Sequence, residues 1–583
     1  TTFIKANSNT NNIAIGTDAG ATVQGTNTVA VGALAGNASQ NTNSVAVGYA
    51  AGCNAQGAQG IAMGYNAGSN TQGNNGVAIG NSAGKISQNT NSVAIGYLAG
   101  SNAQGENAIA IGEHTAESAQ GGNSTALGVQ SGRYRQGVNS VAVGALAANT
   151  DQKDYAVAIG REAGKTSQNN NAVAMGYLAG QNAQEDSAIA VGNNAGRNAQ
   201  GSNSVAMGKE AARYSQNTNA VAVGVNAGYN AQGAQGVAVG NAAGYNGQSD
   251  NATAVGNGAG QVSQGVNATA VGYAAGSNAQ GENAAAVGVV AGRLSQGTYA
   301  TAVGYAAGSN AQGDYGTVVG SYAGCNAQGD YAVAVGNQAG KTSQGISAVA
   351  IGREAGQISQ NTNSVAIGYV AGYNAQGTRA IAVGYGAGEG DQGIDAVAVG
   401  YVAGGINQGD RAVAIGRESG RNAQGNDTVA VGYFAGSASQ STNAVAVGFA
   451  AGYNAQGVSC VAIGVFAGCA DQGDSAVAVG VNAGCASQSV HAVAVGNAAG
   501  YNAQGDSSVA VGRAAGQISQ AANSVAVGYQ AGQTDQGTNS VAVGYNAGIN
   551  AQGNQSVTVG HLAGCADQGD NSVAIGNQAG RVS

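Results

Sequence analysis

The sequence predicts an all-β fold, a parallel β-solenoid or β-roll of about 36 coils with 16 residues in each and no helices. Three observations predict it. Glycine recurs every 16 residues from Gly16 to Gly576, 36 times without an insertion or deletion. Each of these glycines closes a short aliphatic segment of the type Val45-Ala46-Val47. Glutamine stands at one fixed place in 35 successive repeats, from Gln24 to Gln568. Self-similarity at a fixed period marks a stack of identical supersecondary units, each contacting only its neighbours.

The repeat can be justified position by position on Val45 to Gly60. Val45 and Val47 are β-branched and two apart, so their side chains share one face of a strand, and that face is expected to line the inside of the coil. The residue between them is Ala in 34 of 36 copies. An exposed position would drift to polar residues, so the face of Ala30, Ala46, Ala62 and Ala78 is expected to be a lateral interface, covered by a neighbouring chain. Gly48, Gly52 and Gly57 read as turns with positive φ, and Asn replaces the third at Asn41 and Asn89. Stacked coils bring Gln24, Gln40, Gln56, Gln72 and Gln88 about 4.8 Å apart, where their amides form a ladder. The places of Tyr49, Cys53 and Ala58 accept charged and polar residues and read as solvent-exposed. Tyrosines there and elsewhere form ladders, such as Tyr299, Tyr315 and Tyr331.

Composition narrows the function classes. The chain has 103 Gly, no Pro, no Trp and only 8% charged residues, with a net charge of −8. No basic patch exists to neutralise phosphates, which removes the electrostatic footprint of nucleic-acid binding. The longest apolar runs are about five residues, against the roughly 20 that a membrane helix needs, so membrane insertion is not expected. Residues 1–16 lack the regular Gly and Gln marks and read as a degenerate first coil, a cap or junction. Residues 17–583 read as one continuous repeat domain.

Chemistry-bearing residues are sparse. His114, His491 and His561 lie in distant coils and cannot converge on one site. No catalytic residue, metal site or cofactor is therefore expected, and the chain reads as a non-enzyme. Of six cysteines, Cys469 and Cys485 fall in adjacent coils, near enough to bridge.

The unit Asn43-Ser44-Val45-Ala46-Val47-Gly48 recurs as NSVAIG at Asn91 to Gly96 and at Asn363 to Gly368. It resembles the head-domain repeat of YadA-type trimeric autotransporter adhesins, and repeats of phage and giant-virus fibre proteins are similar. The resemblance implies a left-handed parallel β-roll with three chains side by side. This repeat departs from it in length, 16 residues rather than about 14.

The expected function is structural: a rigid extended shaft or filament of an extracellular appendage, on a cell or virion surface, with an adhesive role. The expected partners are further copies of the chain, as a homotrimer or a filament with lateral and end-to-end contacts, and a surface glycan or protein receptor. The alternative is an ice-binding β-solenoid. It requires an unbroken flat array of Thr, whereas Thr253, Thr269, Thr301 and Thr317 are interrupted by Ala285 and are expected on the core face.

Overall fold

A computed structural model describes residues 4–7 and 10–581. Among these residues there is no helix, and strands of two to four residues alternate with turns throughout. The chain divides into two compact units, Thr1–Leu294 and Ser295–Ser583, built from the same coil.

In the first unit a three-residue strand recurs every 16 residues, from Val29–Val31 to Ala285–Val287. Successive copies pair in parallel and in register, Val29 with Val45, Ala30 with Ala46 and Val31 with Val47. A second short strand ends on the glutamine, and Gln72 pairs with Gln88 in the same way. The second unit repeats both ladders, as in Val397 with Val413 and Gln504 with Gln520. Each coil bonds to both of its neighbours: the Val45 amide donates to the Gly60 carbonyl at 2.8 Å, and the Gly48 amide to the Val31 carbonyl at 2.8 Å. At the start of the chain, Ile4–Asn7 pairs antiparallel with Asn12–Ile15, which in turn pairs in parallel with Val29–Val31.

The inside of the coil is the reverse of the sequence expectation. Ala46, Ala51, Gln56 and Ser44 are all completely buried, while Val45 and Val47 are only partly covered. Width decides which face turns inward. The Gln56 side chain crosses the coil and its Nε2 donates to the Val45 carbonyl at 2.7 Å and to the Gly60 carbonyl at 3.1 Å. With a glutamine filling that space, the strand opposite presents a methyl group in all but two coils, those of Val318 and Thr558. Two observations show how tight it is. A Cβ on Gly52 would lie 2.9 Å from Gln56 Oε1, and one on Gly324 would lie 2.7 Å from the Cγ2 of Val318, which replaces the usual alanine.

Corners also differ from expectation. Gly48 and Gly52 have φ of +127° and +54°, as turn glycines should. Gly57 does not have a positive φ; glycine fits there because a Cβ would come within 2.3 Å of the Gly73 carbonyl carbon in the next coil. Most of the other left-handed residues are not glycines. Ala50 (φ 50°), Ser87 (φ 53°) and Asn43 (φ 59°) represent three places that keep a left-handed backbone in coil after coil. A non-glycine residue there costs roughly 1–2 kcal/mol, so the backbone bonds between coils must offset a recurring local strain.

Candidate interaction surface

The surface of each unit follows from which way the strand faces. Because alanine points in, the residues on either side of it point out, and they do so in every coil. Two ranks, mostly of Val and Ile, therefore run along the stack, with Met or Leu in a few coils of the second and Thr or Ala at Thr125, Thr253, Thr269, Ala285, Thr301 and Thr317 of the first. Ile351, Ile367 and Ile415 are 39%, 38% and 41% exposed, and Met175 and Met207 are 41% and 43% exposed. Single exposed aliphatic residues are ordinary on a protein surface, but a contiguous band of them marks a contact face.

This geometry overturns the lateral interface expected at Ala30, Ala46, Ala62 and Ala78. Each of the four is completely buried within its own coil and can touch no second chain. Their smallness reflects the glutamine opposite. It also moves Thr253, Thr269, Thr301 and Thr317 from the core to the outer face, where they are half-buried. The rank beside them is aliphatic, Val255, Val271, Val303 and Val319, so no two-column hydroxyl array results.

The glutamines expected to stack do so inside the coil. Gln24 Nε2 donates to Gln40 Oε1 at 3.1 Å, and Gln72 Nε2 to Gln88 Oε1 at 3.1 Å. Gln56 Oε1 and Gln72 Oε1 lack a partner, so this chain of side-chain bonds is interrupted there. What stays constant is the bond from Nε2 to the strand carbonyl 11 residues earlier, as in Gln40 to Val29 at 2.9 Å and Gln88 to Val77 at 2.8 Å. Sequence reasoning missed this cross-coil bond, although glutamine fixed opposite alanine was its signal.

Outside the aliphatic ranks, the corners carry columns of like or complementary residues. Asparagine amides bond from coil to coil, Asn75 to Asn91 at 2.9 Å and Asn91 to Asn107 at 3.0 Å. The same column becomes a charge ladder at Arg379, Asp395, Arg411 and Asp427. Arg379 Nε meets Asp395 Oδ1 at 2.6 Å, and Arg411 Nε meets Asp427 Oδ1 at 2.6 Å. Hydrogen bonds from Arg379 and Arg411 hold the Asp395 and Asp427 carboxyls below the usual range. After the strand-closing glycine, Tyr369, Tyr385 and Tyr401 stack at 5.0 Å between centroids, with Arg353 4.6 Å over Tyr369.

Cys469 and Cys485 form a disulfide between adjacent coils, with Cα atoms 4.8 Å apart. Cys53, Cys325 and Cys565 occupy the same corner in other coils as free thiols, whereas Cys460 lies inside the coil and burial pushes its thiol up. His114 donates to or accepts from Glu117 at 2.9 Å, and Arg133 reaches the same carboxylate at 2.7 Å. Partial burial pushes the Glu117 carboxyl up, but the bonds from His114 and Arg133 outweigh it and hold it below the usual range. Among the described residues no group of three or more His, Cys, Asp or Glu could hold a metal ion. The surface depressions are shallow grooves along the glutamine strand, lined by small residues such as Ser439, Ala455 and Gly457. No described helix is long and apolar enough to cross a membrane.

The profile of the YadA head domain repeat matches residues 87–112, 359–387, 536–561 and 568–579. Both NSVAIG segments fall inside matched stretches, and their parallel coils have the described geometry. These matched stretches are of the YadA head repeat type. In the YadA-head coil seen here, the alanine of NSVAIG is the inward residue and its valine and isoleucine form the outward ranks. No curated protein matches the chain.

Proposed function

We propose that the chain is a structural segment of an adhesin-like extracellular fibre, in which three copies pack side by side through their Val and Ile ranks. One observation carries this reading: the ranks face outward in coil after coil on both units, and among the described residues they are only partly covered. Complete burial of one such side chain stabilises by about 1.5–3 kcal/mol, so covering a residue that is two-fifths exposed contributes about 0.5–1 kcal/mol. Residues this exposed recur along the rank before the closing glycine, as at Met175, Met207, Ile351, Ile367, Ile415 and Ile463, and their sum is comparable with the estimated 4–15 kcal/mol cost of association. The YadA-type repeat supports the same assembly, since adhesins of that type are trimeric and act at surfaces. On this reading the corner columns of Tyr, Asn, Arg and Asp remain available to a glycan or protein receptor.

Sedimentation equilibrium of the intact chain tests the proposal. The expected mass is three times that of one chain. Lysine at Ile351, Ile367 and Ile415 together should weaken the assembly by burying charge in an apolar seam, and dissociated chains should appear at higher total concentration than for the parent. A monomeric parent, or an assembly that three lysines leave unchanged, would contradict it.

A further inference from the structure

The tyrosine column at Tyr299, Tyr315 and Tyr331 differs from the other aromatic contacts in how closely its members repeat. The ring centroids are 5.1 and 4.9 Å apart, with interplanar angles of 9° and 3°. All three residues have the same left-handed backbone, φ 57°, 58° and 59°, so their side chains leave the corner in one direction. The corner itself is pinned on the residue before each ring: the Thr298 amide donates to Asp314 Oδ1 at 2.8 Å, and the Asp314 amide to Asp330 Oδ1 at 2.9 Å. Yet the rings are open to solvent, 51%, 48% and 58% exposed. Elsewhere one or more of these conditions is missing. Tyr369 and Tyr385 are tilted by 35°, and Tyr305 meets Tyr322 edge-on at 70°.

We infer that Tyr299, Tyr315 and Tyr331 form an oxidative modification site, at which a peroxidase-type one-electron oxidant supplied with hydrogen peroxide joins successive coils by dityrosine bonds. Each of two neighbouring phenols gives up one electron and its hydroxyl proton. The two radicals couple through ring carbons ortho to oxygen, forming one C–C bond. The displaced ortho hydrogens return to the oxygens as the rings regain aromaticity. The net loss is two hydrogen atoms, which convert one hydrogen peroxide to two waters. Stacking supplies the second radical partner within one ring's width, and exposure admits the oxidant. A second coupling at the other ortho carbon of Tyr315, consuming a second hydrogen peroxide, would rivet three coils covalently on the outside, at a corner where only backbone and aspartate bonds now hold them. The inference rests on the coil geometry alone and is independent of trimer formation.

The test treats an equal mixture of isotopically light and heavy full-length chains with peroxidase and hydrogen peroxide, then maps cross-linked peptides by mass spectrometry. Tyr155 and Tyr273 serve as internal references: they are 58% and 57% exposed and have no ring partner among the described residues. Links among residues 299, 315 and 331 should be intrachain, without light–heavy pairs, and should exceed links from Tyr155 and Tyr273 by roughly tenfold or more, as held proximity gives. Tyr315→Phe should keep the stack, as Phe449 does beside Tyr433 at 5.3 Å, yet abolish coupling in this column. Links that are mainly light–heavy, a yield no greater than at the solitary tyrosines, or coupling that survives Tyr315→Phe would each overturn the inference.

Discussion

Replacing one interior glutamine should loosen one part of the solenoid and leave the rest intact. Gln488 is 1% exposed. Its Nε2 donates to the Val477 carbonyl at 2.8 Å, the Ala492 carbonyl at 3.0 Å and Gln504 Oε1 at 3.0 Å, and its Oε1 accepts from Gln472 at 3.1 Å. Leucine keeps the bulk and removes all four bonds. The two bonds between glutamines matter least, because the equivalent acceptor is already unpartnered at Gln56, Gln104 and Gln360. The bonds to strand carbonyls recur throughout and cross the coil. At about 1 kcal/mol for each made bond, and with buried carbonyls left short of a donor, Gln488→Leu should cost about 3 kcal/mol. Coils in a solenoid communicate only with neighbours, so the cost should stay local. Hydrogen exchange read by peptide should speed up by roughly a hundredfold across the coils around Gln488, at 1.4 kcal/mol per tenfold, and remain unchanged ten coils away. Unchanged exchange at Gln488, or acceleration spread evenly over the unit, would refute the view that this amide fastens the two walls of its own coil.

Other consequences concern the corners. Val370 holds φ 47° with a β-branched side chain, where Asn66 and Asn226 hold φ 52° and 57° at equivalent places. Val370→Asn should raise the free energy of local opening by about 1 kcal/mol, measured by hydrogen exchange of the flanking peptides. Asp395 and Asp427 ionise below the ordinary carboxylate range, so their contribution is present above about pH 3.9 and is lost as pH falls through their depressed folded values. Carboxyl NMR titration should show both midpoints lowered in the parent, with Asp395 returning toward the ordinary range in Arg379→Gln. Reduction of the Cys469–Cys485 bridge removes a closed loop with a 16-residue separation. It should weaken those two coils by about 3 kcal/mol, visible as faster exchange around them in dithiothreitol.

How much of this was legible in the sequence depends on the position. The period, the parallel in-register stacking and the short strand before each glycine could all be read, because one insertion anywhere would have broken the ladders that Val29–Val31 and Val45–Val47 form. The side-chain direction could not. Val45 and Val47 alternate with Ala46, and alternation alone says only that the two faces differ. Hydrophobicity argues for valine inside; the volume of the Gln56 side chain, whose amide crosses the coil, reverses it. The lateral-interface residues were misplaced for the same reason, by one residue: the outward face is that of Val45 and Val47, not Ala46. The left-handed corners were invisible because Ala50, Ser87 and Leu98 carry no glycine signal. There the inter-coil hydrogen bonds fix the backbone, and the residue follows. The adjacency of Cys469 and Cys485 was readable from spacing alone, since any two residues 16 apart are neighbours in this fold.

Thiol accessibility across one strand distinguishes a core of alanine from a core of valine and isoleucine. In a background with Cys53, Cys325 and Cys565 replaced by serine, single cysteines at Val365, Ala366 and Ile367 would be probed with a water-soluble maleimide. A thiol at 366 should stay unreactive in both the assembled and the dissociated protein, as the buried alanine implies. Thiols at 365 and 367 should react in dissociated chains and be protected in the assembly. A reactive thiol at 366 beside protected thiols at 365 and 367 in the dissociated chain would show that valine and isoleucine form the core after all, and the account of both the coil and its contact face would fall.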